Sequence, residues 1–145
     1  MARYETSAGQ RVTHFHISNE LTPAQGESYR RYLKRYYPKA KIVGPPTLKY
    51  NCHGYSLAQA HAVFEEPEPF IEDDFVEVPM DEARRGDILI YTKGGEIRHT
   101  AIVKTVAGGE IRKLRSKWGD NAEVVHKPDE VHWVFGRPKR LLRRN

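Results

Sequence analysis

Only one cysteine, Cys52, stands among the 145 residues, so no disulfide can form within the chain. A lone cysteine suits a reducing compartment, or a catalytic role in any compartment. Zinc-ligand pairs of the Cys-x-x-Cys or His-x-x-x-His kind are also missing. Cys52, His53, His99 and His126 therefore have no close-spaced anchor for a metal, and neither a metal nor a cofactor is expected. There is no charged-then-apolar leader, and no apolar run approaches the ~18 residues of a membrane span. The expectation is cytoplasmic synthesis with no membrane partner. Action outside the cell would need an export route without a cleavable signal peptide.

What is present is 39% hydrophobic and 30% charged, enough for one modest core in a single domain over residues 1–145. The net charge of +5 favours acidic partners or surfaces, but it is too mild to imply nucleic acid, which is not expected as a partner.

Residues 1–20 read as a polar, loosely ordered arm, with 13–17 as a short strand. Thr22-Pro23 is an N-cap followed by proline at the first helical position, and Pro38 closes that helix. Tyr29, Tyr32, Leu33, Tyr36 and Tyr37 form a stripe at helical spacing and are expected to pack. A second helix is expected over 52–64, capped by Asn51 and rich in alanine. Residues 65–74, acidic with Pro67 and Pro69, read as a surface connection.

The second half reads as strands. Gly94-Gly95 and Gly108-Gly109 are hairpin turns that divide 88–91, 97–106 and 110–118 into an antiparallel meander. A last strand is expected at 131–135, followed by a basic, solvated tail over 137–145. Counting outward from the turns sets Val103 opposite Leu114, Ala101 opposite Ser116, His99 opposite Trp118 and Ile90 opposite His99. His99, Ala101, Ser116, Trp118 and Asp120 then share one face, which the Cys52 helix is expected to cover.

Cysteine at a helix start and histidine on a strand are the parts of a thiol-hydrolase dyad. The helix N-terminus and a neighbouring imidazolium both stabilise a thiolate. Backbone N–H groups at that helix start would receive an oxyanion, with the Asn51 side chain as a further donor. Ser116 and Asp120 are the candidates to orient His99. Trp118 is a candidate substrate platform, and His126 and His53 rank lower.

In order, Cys52 at a helix start, Arg85-Gly86-Asp87-Ile88-Leu89-Ile90-Tyr91 and Arg98-His99-Thr100-Ala101-Ile102-Val103 resemble papain-like cysteine hydrolases of the NlpC-type and CHAP-amidase class. The resemblance spans roughly residues 48–120. It implies an α+β papain-like domain, with N-terminal helices and a nucleophile helix packed on an antiparallel β-meander. It also makes Cys52 the nucleophile and His99 the general base. The third polar residue of that class sits at the start of the next strand, where this chain offers Ser116 and Asp120. His53, directly after the cysteine, departs from the commonest pattern.

The function expected is amide hydrolysis by a peptidase or amidase. Cell-wall peptide is a reasonable substrate, and a bacterial effector or toxin opposed by an immunity protein is a fitting context. A deamidase or transglutaminase-like toxin would use the same dyad. The alternative from a different class is a non-enzymatic module that binds through the basic tail, Arg137 to Arg144.

Overall fold

Residues 2–145 are described by a computed structural model. The first helix, α1 (Pro23–Tyr36), begins where expected. The Thr22 hydroxyl accepts from the Gln25 N–H at 3.2 Å, and the Gln25 side chain accepts from the Thr22 N–H at 2.9 Å. The tyrosine stripe does not form core: Leu33 is buried, whereas Tyr32 and Tyr36 are exposed. Leu33 joins the cluster of Trp118, Ala122 and Val124, and half-buried Tyr37 packs against it.

Seven strands form one antiparallel sheet: β1 (Lys41–Ile42), β2 (Phe75–Val78), β3 (Ile88–Lys93), β4 (Glu96–Ala107), β5 (Glu110–Lys117), β6 (Glu123–His126) and β7 (Arg137–Arg144). Their spatial order is β1-β6-β5-β4-β3-β7-β2, and the fold is α+β. The expected meander is β3-β4-β5. Ala107 pairs with Glu110 and Val103 with Leu114, as the Gly108-Gly109 turn requires. At the other turn a bulge between Tyr91 and Thr92 shifts the register, so His99 lies opposite Tyr91 rather than Ile90.

Alternation along these strands builds two cores. On one face Ile88, Ile90 and Leu142 meet Leu57, Ala58, Phe64 and Phe70. On the other Leu89, Tyr91, Ala101, Val103, Leu114 and Leu141 meet Val131 and Phe135.

Four expectations change at the ends and in the middle of the chain. The basic segment is no solvated tail. As β7 it lies between β3 and β2, with Leu141 and Leu142 turned to opposite cores. Three of its cations have partners: Arg140 donates to Glu77 at 2.7 Å, Arg143 forks onto both oxygens of buried Asp87 at 2.8 Å, and Arg144 donates to the Leu57 carbonyl at 2.8 Å. Residues 133–135, expected in a strand, form a 3₁₀ turn that leads into β7. The acidic connection contains a short helix, α2 (Glu68–Asp74), because Phe70 and Ile71 bury against the first core. The N-terminal arm is tied down as well. Val12 is in the core, Phe15 bridges Val63, and the Thr6 hydroxyl donates to the Asp73 carboxylate.

Candidate active site

Asn51 shapes the chain around the cysteine. Its Oδ1 accepts from the N–H groups of Gly54 at 3.0 Å and Phe64 at 3.2 Å, while its Nδ2 donates to the Phe64 carbonyl at 2.7 Å. One side chain thus caps the helix start and pins the returning chain to it. The continuous helix expected over 52–64 does not form. Cys52 and His53 are helical, Gly54–Ala58 is a π-helical turn, and Gln59 ends it in the left-handed region at φ 52°. The chain then doubles back so closely that a Cβ on Gly54 would stand 2.1 Å from the Ala62 carbonyl oxygen. The Asn51 amide is therefore engaged in structure and is not free as an oxyanion donor. The N–H groups of Cys52 and His53 belong to the same first turn and have no intrahelical acceptor.

Beneath this turn the sheet opens. Pairing of β4 with β5 reaches Ile102 opposite Arg115 and goes no further, so the expected pairs Ala101–Ser116 and His99–Trp118 do not form, and Ser116 pairs with Val124 instead. The start of β4 pairs with β3, and the end of β5 pairs with β6. Thr100 lies on the opened stretch. Its carbonyl accepts from Ser56 Oγ at 3.1 Å, and its hydroxyl is 3.0 Å from His53 Nδ1. The same nitrogen is 3.7 Å from Cys52 Sγ. His53, ranked low from sequence, is thus in contact with the thiol.

His99 sits differently from expectation. Leu57 and Ala58, which follow the cysteine, pack on the Ile88 and Ile90 face, while His99 lies on the opposite one beside Tyr91. Its ring stacks on Phe135 with centroids 4.0 Å apart and planes 7° from parallel. It is fully buried, and neither ring nitrogen has a hydrogen-bond partner. It still acts on the thiol across the opened strands. Burial alone would raise the Cys52 thiol, but the charges of His53 and then His99 overcome it and hold the thiol well below its ordinary range. For His53, burial pushes down and the cysteine pushes up more strongly, so its net shift is upward. Both directions favour a thiolate–imidazolium pair.

Ser116, Trp118 and His126 come together on the His99 face. The Trp118 indole N–H donates to Ser116 Oγ at 3.1 Å, and Ser116 Oγ is 2.8 Å from His126 Nε2. His126 Nδ1 faces the Lys127 carbonyl at 2.8 Å. A carbonyl only accepts, so Nδ1 carries the proton, Nε2 accepts, and the serine hydroxyl donates to it. Burial drives His126 down to about 4. A neutral buried histidine favours the fold at pH values where the unfolded chain would also be neutral. As pH falls from 6.5 toward 4 the unfolded chain binds a proton that the folded chain refuses. Unfolding experiments should therefore show about 3 kcal/mol of stability lost across that window, and His126→Gln should flatten the slope.

Asp120 is exposed in the turn after β5, where its carbonyl accepts from the Thr47 N–H at 3.1 Å. It lines a groove of about 440 Å³ together with Tyr29, Tyr32, Trp118, His132 and Phe135. Phe135 therefore has this groove on one side and His99 on the other. Sequence reasoning missed Phe135, Thr100 and Ser56. Thr100 follows His99 directly and was the one with a readable signal.

The chain matches no protein-family model, no curated protein and no solved structure. What the site can do rests on its own geometry. Among the described residues, no group of three or more His, Cys, Asp and Glu side chains converges as metal ligands, and no helix is long and apolar enough to cross a membrane.

Proposed function

We propose that this protein is a papain-like cysteine hydrolase that cleaves an amide bond with Cys52 as nucleophile. The observation that carries the reading is a buried free thiol, 3.7 Å from one imidazole and under the charge of a second. In this reading the two histidines divide the work. His53, held by Thr100, keeps the sulfur as thiolate. His99, with both nitrogens uncommitted, exchanges protons with the substrate.

The thiolate attacks the amide carbonyl carbon, and the oxyanion meets the N–H groups of Cys52 and His53. The C–N bond breaks as the imidazolium formed when the thiol gave up its proton passes that proton to the departing amine. Water then attacks the thioester, losing a proton to the imidazole, and the carboxylic acid leaves as the sulfur is released.

The substrate is assigned to the aromatic groove that shares Phe135 with the His99 stack, where Asp120 supplies one charged group. Peptide from a bacterial cell wall is the substrate class proposed, with an immunity protein as the natural antagonist. A protein deamidase or transglutaminase would use the same site with another acceptor. The test is incubation of purified protein with cell-wall peptide and with a general protein substrate. New amine termini should appear with the native protein and fall at least 100-fold in Cys52→Ala. Ammonia release without chain cleavage would move the assignment to deamidation. Equal activity in Cys52→Ala would end the hydrolase reading.

A further inference from the structure

A second site lies away from the thiol, around Trp133. The loop tip of the β3-β4 hairpin, Lys93-Gly94-Gly95, faces the 3₁₀ turn Trp133–Phe135 and the start of β7. Between them is a cleft of about 520 Å³ lined by Thr92, Lys93, Trp133, Gly136, Arg137 and Lys139 together with the two turn glycines. Gly136 makes the junction possible. Its φ is 81°, and a Cβ there would stand 1.9 Å from the Thr92 carbonyl oxygen. Close approach at that point brings Arg137 opposite Thr92 in the sheet.

Three properties of the cleft point to one chemistry. First, Trp133 is 69% exposed, the most exposed large hydrophobic side chain described. One side of its indole is met by the Lys93 ammonium, 4.4 Å from the ring centroid. Second, the cations have no carboxylate partner. Elsewhere on β7, Arg140 and Arg143 are spent on Glu77 and Asp87. Lys93, Arg137 and Lys139 are exposed and form no ion pair among the described residues. The carboxylate opposite Lys93, that of Glu96, is already held by Arg98 at 3.0 Å. Third, no carboxylate or carboxamide lines the cleft, and Thr92 offers its only hydroxyl. A neutral sugar stacked on the indole would have almost nothing to hydrogen-bond its hydroxyls. A planar base with attached phosphate needs an aromatic face and cations, and both are present.

We propose that this cleft binds a nucleotide unit, with the base stacked on Trp133 and the phosphate held by Lys93, Arg137 and Lys139. The unit belongs to a single strand or to a free nucleotide. No nucleic-acid motif announces the site in the sequence, because its parts come from separate segments at 92–95, 133 and 136–139. The site is independent of the hydrolase reading, and its failure would leave that reading untouched.

The two tryptophans make the test direct, since Trp118 is buried and Trp133 exposed. The Cys52→Ser protein is titrated with short oligothymidylate, with ATP, and with dextran sulfate, a polyanion without a base. Oligothymidylate or ATP should quench the solvent-exposed emission in a saturable way. Quenching by the oligomer alone assigns a single strand, and quenching by ATP alone a free nucleotide. For the strand, three contacts predict a slope near −2 in log affinity against log salt, at ~0.7 per contact. Anisotropy of a labelled ligand should show affinity reduced about tenfold or more in Trp133→Leu, in line with ~1–3 kcal/mol per stacked base. Lys93→Gln should weaken binding with Trp133 still present as reporter. The proposal is overturned if neither nucleotide ligand binds. It is equally overturned if dextran sulfate binds as well as the oligomer and Trp133→Leu changes nothing.

Discussion

Iodoacetamide should modify native Cys52 at pH 6, where an ordinary thiol with a pKa of ~8.5 is almost wholly protonated. The rate should follow thiolate content, so its midpoint should fall well below that reference value. His53 is the larger of the two imidazole influences on the sulfur, and its Nδ1 stands 3.7 Å away. Removing it by His53→Ala takes away the nearest stabilising charge and leaves burial to raise the thiol. The midpoint should move upward, and the rate at pH 6 should drop at least about tenfold, one unit of pKa being a factor of ten in thiolate there. His99→Ala should move the midpoint in the same direction but by less. Turnover of an amide substrate should separate the two differently. If His99 serves the substrate, His99→Ala should abolish turnover while much of the low-pH alkylation survives. A midpoint near 8.5 in the native protein, or one indifferent to both histidines, would remove the thiolate–imidazolium pair from the account.

Gly54→Ala should be among the most damaging single substitutions in the chain, although it adds only a methyl group. That methyl would stand 2.1 Å from the Ala62 carbonyl oxygen and 3.2 Å from that of Ala60. Both are backbone atoms, so no side-chain rotation relieves the overlap, and the loop over 60–62 must move. It is held by Asn51 through the amide and carbonyl of Phe64, so moving it strains the cap of the nucleophile turn. A cost of about 3–5 kcal/mol is expected, in the range of severe overpacking. For a chain of this size that lowers Tm by about 10 °C or more. The low-pH reactivity of Cys52 should be lost along with it. Thermal unfolding unchanged within a degree or two would show that the returning loop is not packed against Gly54.

The parts of this fold that were legible in advance are those whose cause is local. Thr22, Pro23 and Gln25 announce the start of α1 by chemistry contained in four residues. The two Gly-Gly turns announce the meander, because positive φ at both positions suits a tight hairpin. The misread parts have remote causes. Alanine content argued for a long helix after Cys52, but propensity is a weak prior, and the Asn51 amide reaching Phe64 prevails over it. The π-helical turn that replaces the helix also goes with His53, ranked low, standing against the thiol. The bulge beside Tyr91 has no sequence signal, and it moved the neighbour of His99 by one residue. The β7 segment looked too charged for a sheet interior. Its arginines are neutralised by Glu77 and Asp87, some sixty residues earlier, and no local pattern reveals such pairing. Ser116, Trp118 and His126 were each singled out. Their union depends on β6 pairing Val124 with Ser116, which the hairpin count did not reach.

The position of β7 also governs how the polypeptide matures. β2 joins the sheet through β7 alone, and β3 needs β7 to cover its second edge. During synthesis the ribosome delivers β3 well before residues 137–144, an interval of roughly several seconds at ~5–20 residues per second. Throughout that interval the apolar run Ile88-Leu89-Ile90-Tyr91 has an open edge, ready to pair with any passing strand. The nascent protein is consequently most prone to self-association at this stage. A chaperone that shields β3 until the arginine-rich strand arrives should raise the yield of folded molecules more than one that acts after release.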